Sequence, residues 1–195
     1  MSALNYMGVD AAFSNIGWVV ADPFTLDLRG FGVLRTSRTK PKVRKAQSIS
    51  IAEDDVTRIR LLVAGLKEIV EREDVGGMAV ELPMGGSQSA ISTKALGMAT
   101  AVLTAAAFYM QIPMIAISPY DSKLAIGGSK QSSKEEVAEA VYEQWPQLHD
   151  YRPEGLQEHI TDAGAAFLCT RWSDVYHRLY LRRAKQEAMR WTTKR

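Results

Sequence analysis

Asp10, Glu81 and the pair His159 and Asp162 are the residues of this sequence whose types and placement best suit them to chemistry. Asp10 closes the apolar run Tyr6-Met7-Gly8-Val9, and Glu81 closes Gly77-Met78-Ala79-Val80. A carboxylate at the end of a buried strand is costly unless a cation waits there, because an unpaired charge leaving water is heavily penalised. His159 and Asp162 open the run Ala163 to Leu168 and, three residues apart, share one helical face. Glu158 stands in register with Asp162 as well and is the reserve candidate. Oxygen donors converging in this way suit hard divalent cations such as Mg²⁺ or Mn²⁺, and an imidazole among them suits Mn²⁺ better.

The periodicity supplies elements that could bring these positions together. Tyr6 to Asp10 is almost continuously apolar, as in a central strand buried on both faces. Asn15 to Val20 follows a short turn, and Gly30 to Leu34 returns after the Asp22-Pro23 turn signal, which makes an antiparallel meander. From Ala52 the period becomes helical, with Val56, Ile59, Leu62, Val63, Leu66, Ile69 and Val70 in one stripe. Met78 to Glu81 reads as a fourth strand, Ser87 to Met110 as a long helix rich in Ala and Gly, and Ile112 to Ile117 as a fifth strand. Lys134 to Gln144 and Glu158 to about Lys185 read as further helices, and Gly127-Gly128-Ser129 as a flexible turn. Three antiparallel strands followed by alternating helix and strand is the order of the ribonuclease H-like fold, an α/β class with a mixed five-stranded sheet flanked by helices. Its first and fourth strands are neighbours, which would set Asp10 beside Glu81.

A chain of 195 residues has room for one well-buried domain and not for two comfortable ones. The net charge is only +2, but its distribution is uneven. Arg35, Arg38, Lys40, Lys42, Arg44 and Lys45 crowd one aperiodic, Pro-containing segment without an acid, and a second basic run extends from Arg171 to Arg195. Such patches in a near-neutral chain suit a phosphate-backbone binder. Cys169 is the sole cysteine, which excludes a disulfide framework, and its apolar surroundings predict an inert thiol. The N-terminus lacks a charged segment followed by an apolar one, and the apolar stretch Ala95 to Phe108 falls short of the ~20 residues of a membrane span. A soluble, cytoplasmic protein without a membrane partner is therefore expected. His149 and His177 read as surface residues, and Trp145, Trp172 and Trp191 as packing residues.

In order along the chain, these features resemble the RuvC-type Holliday-junction resolvases, of the divergent kind found in phages and mobile elements. Gly8-Val9-Asp10 followed by Ser14-Asn15-Ile16-Gly17-Trp18 is similar to the opening of that family, and Ala79-Val80-Glu81 to its second acidic strand. Lys94-Ala95-Leu96-Gly97 resembles its Leu-Gly segment. Ser118 to Lys123 resembles a stretch that carries one lysine, and Gly127 to Lys134 a loop that carries another. His159-Ile160-Thr161-Asp162-Ala163 resembles the closing motif. Two departures stand out: Ala11-Ala12 replace the usual Pro-Gly, and Leu82-Pro83-Met84 stand where many members carry an aromatic wedge.

The resemblance implies a structure-selective endonuclease that resolves four-way DNA junctions by two-metal hydrolysis and leaves 5′-phosphate ends. Mg²⁺ would serve as cofactor, with Mn²⁺ substituting. Asp10, Glu81, His159 and Asp162 would form the metal site, with Asp10 as the shared ligand. Lys123 and Lys134 would meet the scissile phosphate, with Lys130 competing for the second role, and Arg35, Arg38, Lys40, Lys42, Arg44, Lys45 and Lys130 would bind DNA, the Arg35 to Lys45 segment along one arm. Residues 1–170 would form the nuclease domain and residues 171–195 a basic helical extension. The small, apolar helix Ser87 to Met110 has surplus face, which predicts a homodimer. Cleavage of forks, flaps or RNA–DNA hybrids, and a non-catalytic DNA-binding role, stay open on sequence grounds. An actin-like kinase or ATPase module also opens on a Gly-x-Asp strand, but it needs a second phosphate loop and another domain.

Overall fold

The computed structural model describes residues 5–39, 51–82, 89–151 and 155–171, with Ser173, Asp174, Tyr176, His177 and Leu181 beyond them. Five strands come in the expected order: β1 (Asn5–Asp10), β2 (Asn15–Ala21), β3 (Leu28–Arg35), β4 (Val75–Glu81) and β5 (Met114–Ile117). Between and after them run α1 (Ile51–Arg72), α2 (Ala90–Tyr109), α3 (Pro119–Gly127), α4 (Lys134–Gln144), α5 (Gln147–Asp150) and α6 (Gln157–Cys169). The sheet order is β3-β2-β1-β4-β5, with β1 antiparallel to β2 and parallel to β4. In that register Asp10 lies opposite Glu81 on one side and Gly17 on the other.

Strand alternation sends successive side chains to opposite faces and so builds two cores. Met7, Val9, Met78 and Val80 face α1 and α2, where they meet Leu62, Leu66, Val102 and Leu103. Tyr6 and Ala79 face the other way, toward Val141, Trp145 and Phe167 of α4 and α6 and the turn between α4 and α5. Asp10 and Glu81 share the parity of Tyr6 and Ala79, so both carboxylates point to the α6 side. Phe167 is fully buried with Tyr6, Trp145 and Tyr176 edge-on around it. Burying such a ring contributes about 1.5–3 kcal/mol.

Two glycines let α6 lie close on the sheet. A Cβ on Gly8 would collide with the Ala163 carbonyl, and one on Gly17 with the His159 carbonyl. The small run Ala163-Gly164-Ala165-Ala166 makes the matching face of α6, and all four residues are buried. This contact brings His159 and Asp162 down to the strand ends.

Several local expectations are corrected. Ser118 to Lys123, given no element from the sequence, is the start of α3, opened by a reciprocal Ser118–Asp121 capping box with Pro119 in the first turn. β5 begins at Met114, two residues after the expected start, because Pro113 has no N–H to give the ladder. On α1 the stripe shifts: Val56 is 47% exposed, while Asp55 and Arg58 are buried in its place. The last helix stops at Cys169 rather than running on to Lys185. There the Thr170 hydroxyl donates back to the Ala166 carbonyl at 3.0 Å, and among the described residues helix resumes at Asp174. Beyond this break Tyr176 packs under the sheet and its hydroxyl donates to the Pro23 carbonyl. Most of the basic extension lies outside the described residues. By length and composition alone, α2 is also apolar enough to cross a membrane. Ala99, Val102, Leu103, Ala106 and Ala107 nevertheless pack it against the core.

Candidate active site

Asp10 and Glu81 end adjacent parallel strands, and Asp162 hangs over them from α6. One carboxylate oxygen from each lies within 4.8 Å of the other two, and all three residues are half-buried. At that spacing each charged pair repels by roughly 3 kcal/mol at an effective dielectric near 20. Burial, and then the charges of Asp10 and Glu81, push the Asp162 carboxyl up to about 7. Burial also raises Glu81, although the Ser122 hydroxyl, donating to it at 2.6 Å, works against the shift. A cluster so unfavourable by itself, built of hard oxygens, fits a divalent cation.

His159 joins this group from the side. Its Nδ1 lies 2.5 Å from Asp10 Oδ2, and its Nε2 lies 3.4 Å from the Asn15 amide nitrogen. The Asp10 hydrogen bond outweighs burial and raises its pKa above the usual imidazole value. Glu158 turns instead toward Lys134, with which it forms an ion pair, and is not one of the three converging carboxylates.

Lys123 and Lys134 line a cavity of about 360 Å³ together with Glu81, Asp162, Ser122 and Tyr120. Lys123 sits on α3 and Lys134 opens α4, so helices position both. Lys130 lies in the turn between them and does not line the cavity. Arg35 and Arg38 are exposed at and beyond the end of β3, whereas Lys40, Lys42, Arg44 and Lys45 lie outside the described residues. The Cys169 thiol, raised to about 11 by burial, is a poor nucleophile.

Three contributors were missed in the sequence. Ser122 orients Glu81, and the Ser118-Pro119-Tyr120-Asp121 capping signal would have revealed the helix that carries it. Asn15 flanks His159. Arg58, 5% exposed, reaches across to the turn that follows Asp10. It donates to Ser14 Oγ at 2.9 Å, Thr36 Oγ1 at 3.2 Å and the Phe13 carbonyl at 3.4 Å, and lies over the Phe13 ring. Asp55, which also accepts from Lys94 at 2.5 Å, balances its charge.

Comparison with known proteins places this geometry in context. The family model described as "Crossover junction endodeoxyribonuclease RuvC" matches residues 19–169. That span includes Glu81, His159 and Asp162 and begins after Asp10. A protein of that name from Bacteroides fragilis is 32% identical over 122 residues, covering 62% of this chain and 64% of the relative. The Moorella thermoacetica protein of the same name is 27% identical over 150 residues, covering 76% of this chain and 86% of the relative. Among solved structures, T. thermophilus RuvC in complex with Holliday junction substrate is similar with a TM-score of 0.65 and 25% identity, over 92% of this chain and 95% of that one. The yeast mitochondrial Holliday junction resolvase shares the fold with a TM-score of 0.55 at 13% identity, over 96% of this chain and 86% of that one.

Proposed function

The chain belongs to the RuvC family of crossover junction endodeoxyribonucleases, and from that premise we propose that it is a metal-dependent endonuclease resolving four-way DNA junctions. The observation that carries this reading is the meeting of Asp10, Glu81 and Asp162 at the ends of the neighbouring interior strands β1 and β4. These carboxylates would hold Mg²⁺, or Mn²⁺ in its place, with Asp10 as the shared ligand and His159 as the nitrogen-bearing member of the site. Bound divalent metal supplies an activated water and stabilises the charge that develops on phosphate and leaving oxygen.

The protein's own side chains do the positioning. Ser122 aims Glu81, His159 braces Asp10, and Asn15 in turn flanks His159. Lys123 and Lys134, which line the same cavity as Glu81 and Asp162, offer the cations that would hold a phosphodiester against the carboxylates. Release of the 3′ oxygen leaves a 5′-phosphate that a ligase can rejoin. Arg35, Arg38 and the basic residues up to Lys45 would add sequence-independent contacts to a DNA arm, and residues 171–195 would form a separate basic extension. On α2, Ile91, Phe108 and Tyr109 are exposed, as is Leu61 on α1. An apolar surface of this kind supports a homodimer whose two sites meet a nearly two-fold junction.

The deciding experiment offers a synthetic four-way junction, a fork and a linear duplex with Mg²⁺, Mn²⁺ or EDTA. Paired, ligatable nicks in the junction alone, absent in EDTA, are expected. Asp10→Asn, Glu81→Gln and Asp162→Asn should each abolish cutting and keep junction binding. Equal cutting of all three substrates would refute junction selectivity, and near-normal cutting by any one variant would remove that residue from the site.

A further inference from the structure

Tyr120 presents an aromatic ring to water inside the wall of the cavity that holds the acidic cluster. The side chain is 56% exposed, although a phenol ring carries enough apolar surface to favour burial. It sits in the first turn of α3, just after Pro119, where the Ser118–Asp121 capping box fixes the helix start. The same cavity is lined by Glu81, Asp162, Lys123 and Lys134. Lys123 lies three residues on, which puts it on the same helical face with Cβ atoms roughly 5–6 Å apart. Leu124 completes this face and is 48% exposed. Of all the residues of α3, only Ser122 is buried, and it is bonded to Glu81. The helix thus turns its one polar anchor inward and offers an aromatic, a cation and an aliphatic side chain outward, next to the carboxylates.

A nucleotide presents two chemistries at about this separation: an anionic phosphate and a flat base. Every base has a π face, so an aromatic side chain beside a phosphate-binding lysine is a stacking platform that tolerates any sequence. We propose that Tyr120 stacks on an unpaired or splayed nucleobase adjoining the phosphodiester held by Lys123, making α3 a nucleobase-binding element of the site. This rests on the reading of the cavity as a DNA-cleaving site and adds to it a residue that grips the substrate beside the reacting atoms.

The test uses four-way junctions that carry one 2-aminopurine at successive positions around the crossover, bound in Mg²⁺ by Asp10→Asn protein, which leaves the DNA uncut. One position should show fluorescence quenched on binding. Adding Tyr120→Ala should abolish that quenching and weaken junction affinity about tenfold, while Tyr120→Phe and Tyr120→Trp keep both. The thermal midpoint should not move in Tyr120→Ala, because the ring lies mostly in solvent. An unchanged quenching pattern and affinity in Tyr120→Ala, with branched DNA still bound, would overturn the stacking role alone. If the wild-type protein neither binds nor cuts branched DNA, the reading of the whole site falls and this role with it.

Discussion

Replacing Asp162 by Asn should destroy cleavage and yet make the metal-free protein more stable. Burial and two neighbouring carboxylates lift the Asp162 carboxyl from 3.8 to about 7. A carboxyl whose pKa is higher folded than unfolded favours folding in its protonated form. That contribution is whole below the unfolded value of 3.8 and is lost as the pH rises through about 7. At pH 8 the folded state therefore holds an ion it disfavours. A shift of about 3 units corresponds to roughly 4 kcal/mol at 1.36 kcal/mol per unit. Relaxation of a half-buried site lowers the expected gain to about 1–3 kcal/mol. Asn keeps the shape of the side chain without the charge. Urea unfolding in EDTA, extrapolated linearly, should show Asp162→Asn ahead of wild type at pH 8 and the gap reduced by more than half near pH 5. Adding Mg²⁺ at pH 8 should stabilise wild type and leave the variant nearly unchanged. A variant equal to or weaker than wild type at pH 8 in EDTA would refute the reasoning, because the three carboxylates would then not strain one another.

Gly17→Ala should cost most of the cutting activity with the acidic residues intact, since its methyl would meet the His159 carbonyl and lift α6 from the sheet; single-turnover rates and metal titration check this. Arg58→Met should destabilise the fold by about 1–3 kcal/mol, because the turn after Asp10 loses its buried donors while Asp55 keeps Lys94. Arg58→Lys should recover little in urea unfolding, a single ammonium being unable to make the same fork of contacts. His159→Asp should stay active with its preference tilted from Mn²⁺ toward Mg²⁺, and His159→Ala should lose most activity with either ion. Initial rates on one junction decide the matter, and full activity in the Ala variant would place His159 outside the site.

The strands and their acidic ends were legible in the sequence because both signals are local. A nearly continuous apolar run such as Met7 to Val9 has few alternatives to a buried strand, and a carboxylate at its end demands a partner. The pairing of β1 with β4 followed from the order of elements and was observed. Helix α3 escaped notice because it buries only Ser122 and so shows no apolar stripe. Asp55 and Arg58 escaped because their burial depends on the turn after Asp10, with the Phe13 carbonyl 45 residues away from Arg58.

Local pattern thus determined which residues carry charge to the strand ends and which elements hold them. Tertiary structure decided which of them meet. Glu158 and His159 both stand in helical register with Asp162, but the rotation of α6 about its axis is set by where its backbone touches Gly8 and Gly17. That contact turns His159 and Asp162 onto Asp10 and Glu81 and leaves Glu158 out of the carboxylate cluster, paired with Lys134. Convergence within 4.8 Å depends on how closely two backbones approach across the core, and close approach is a property of packed surfaces that sequence spacing does not encode.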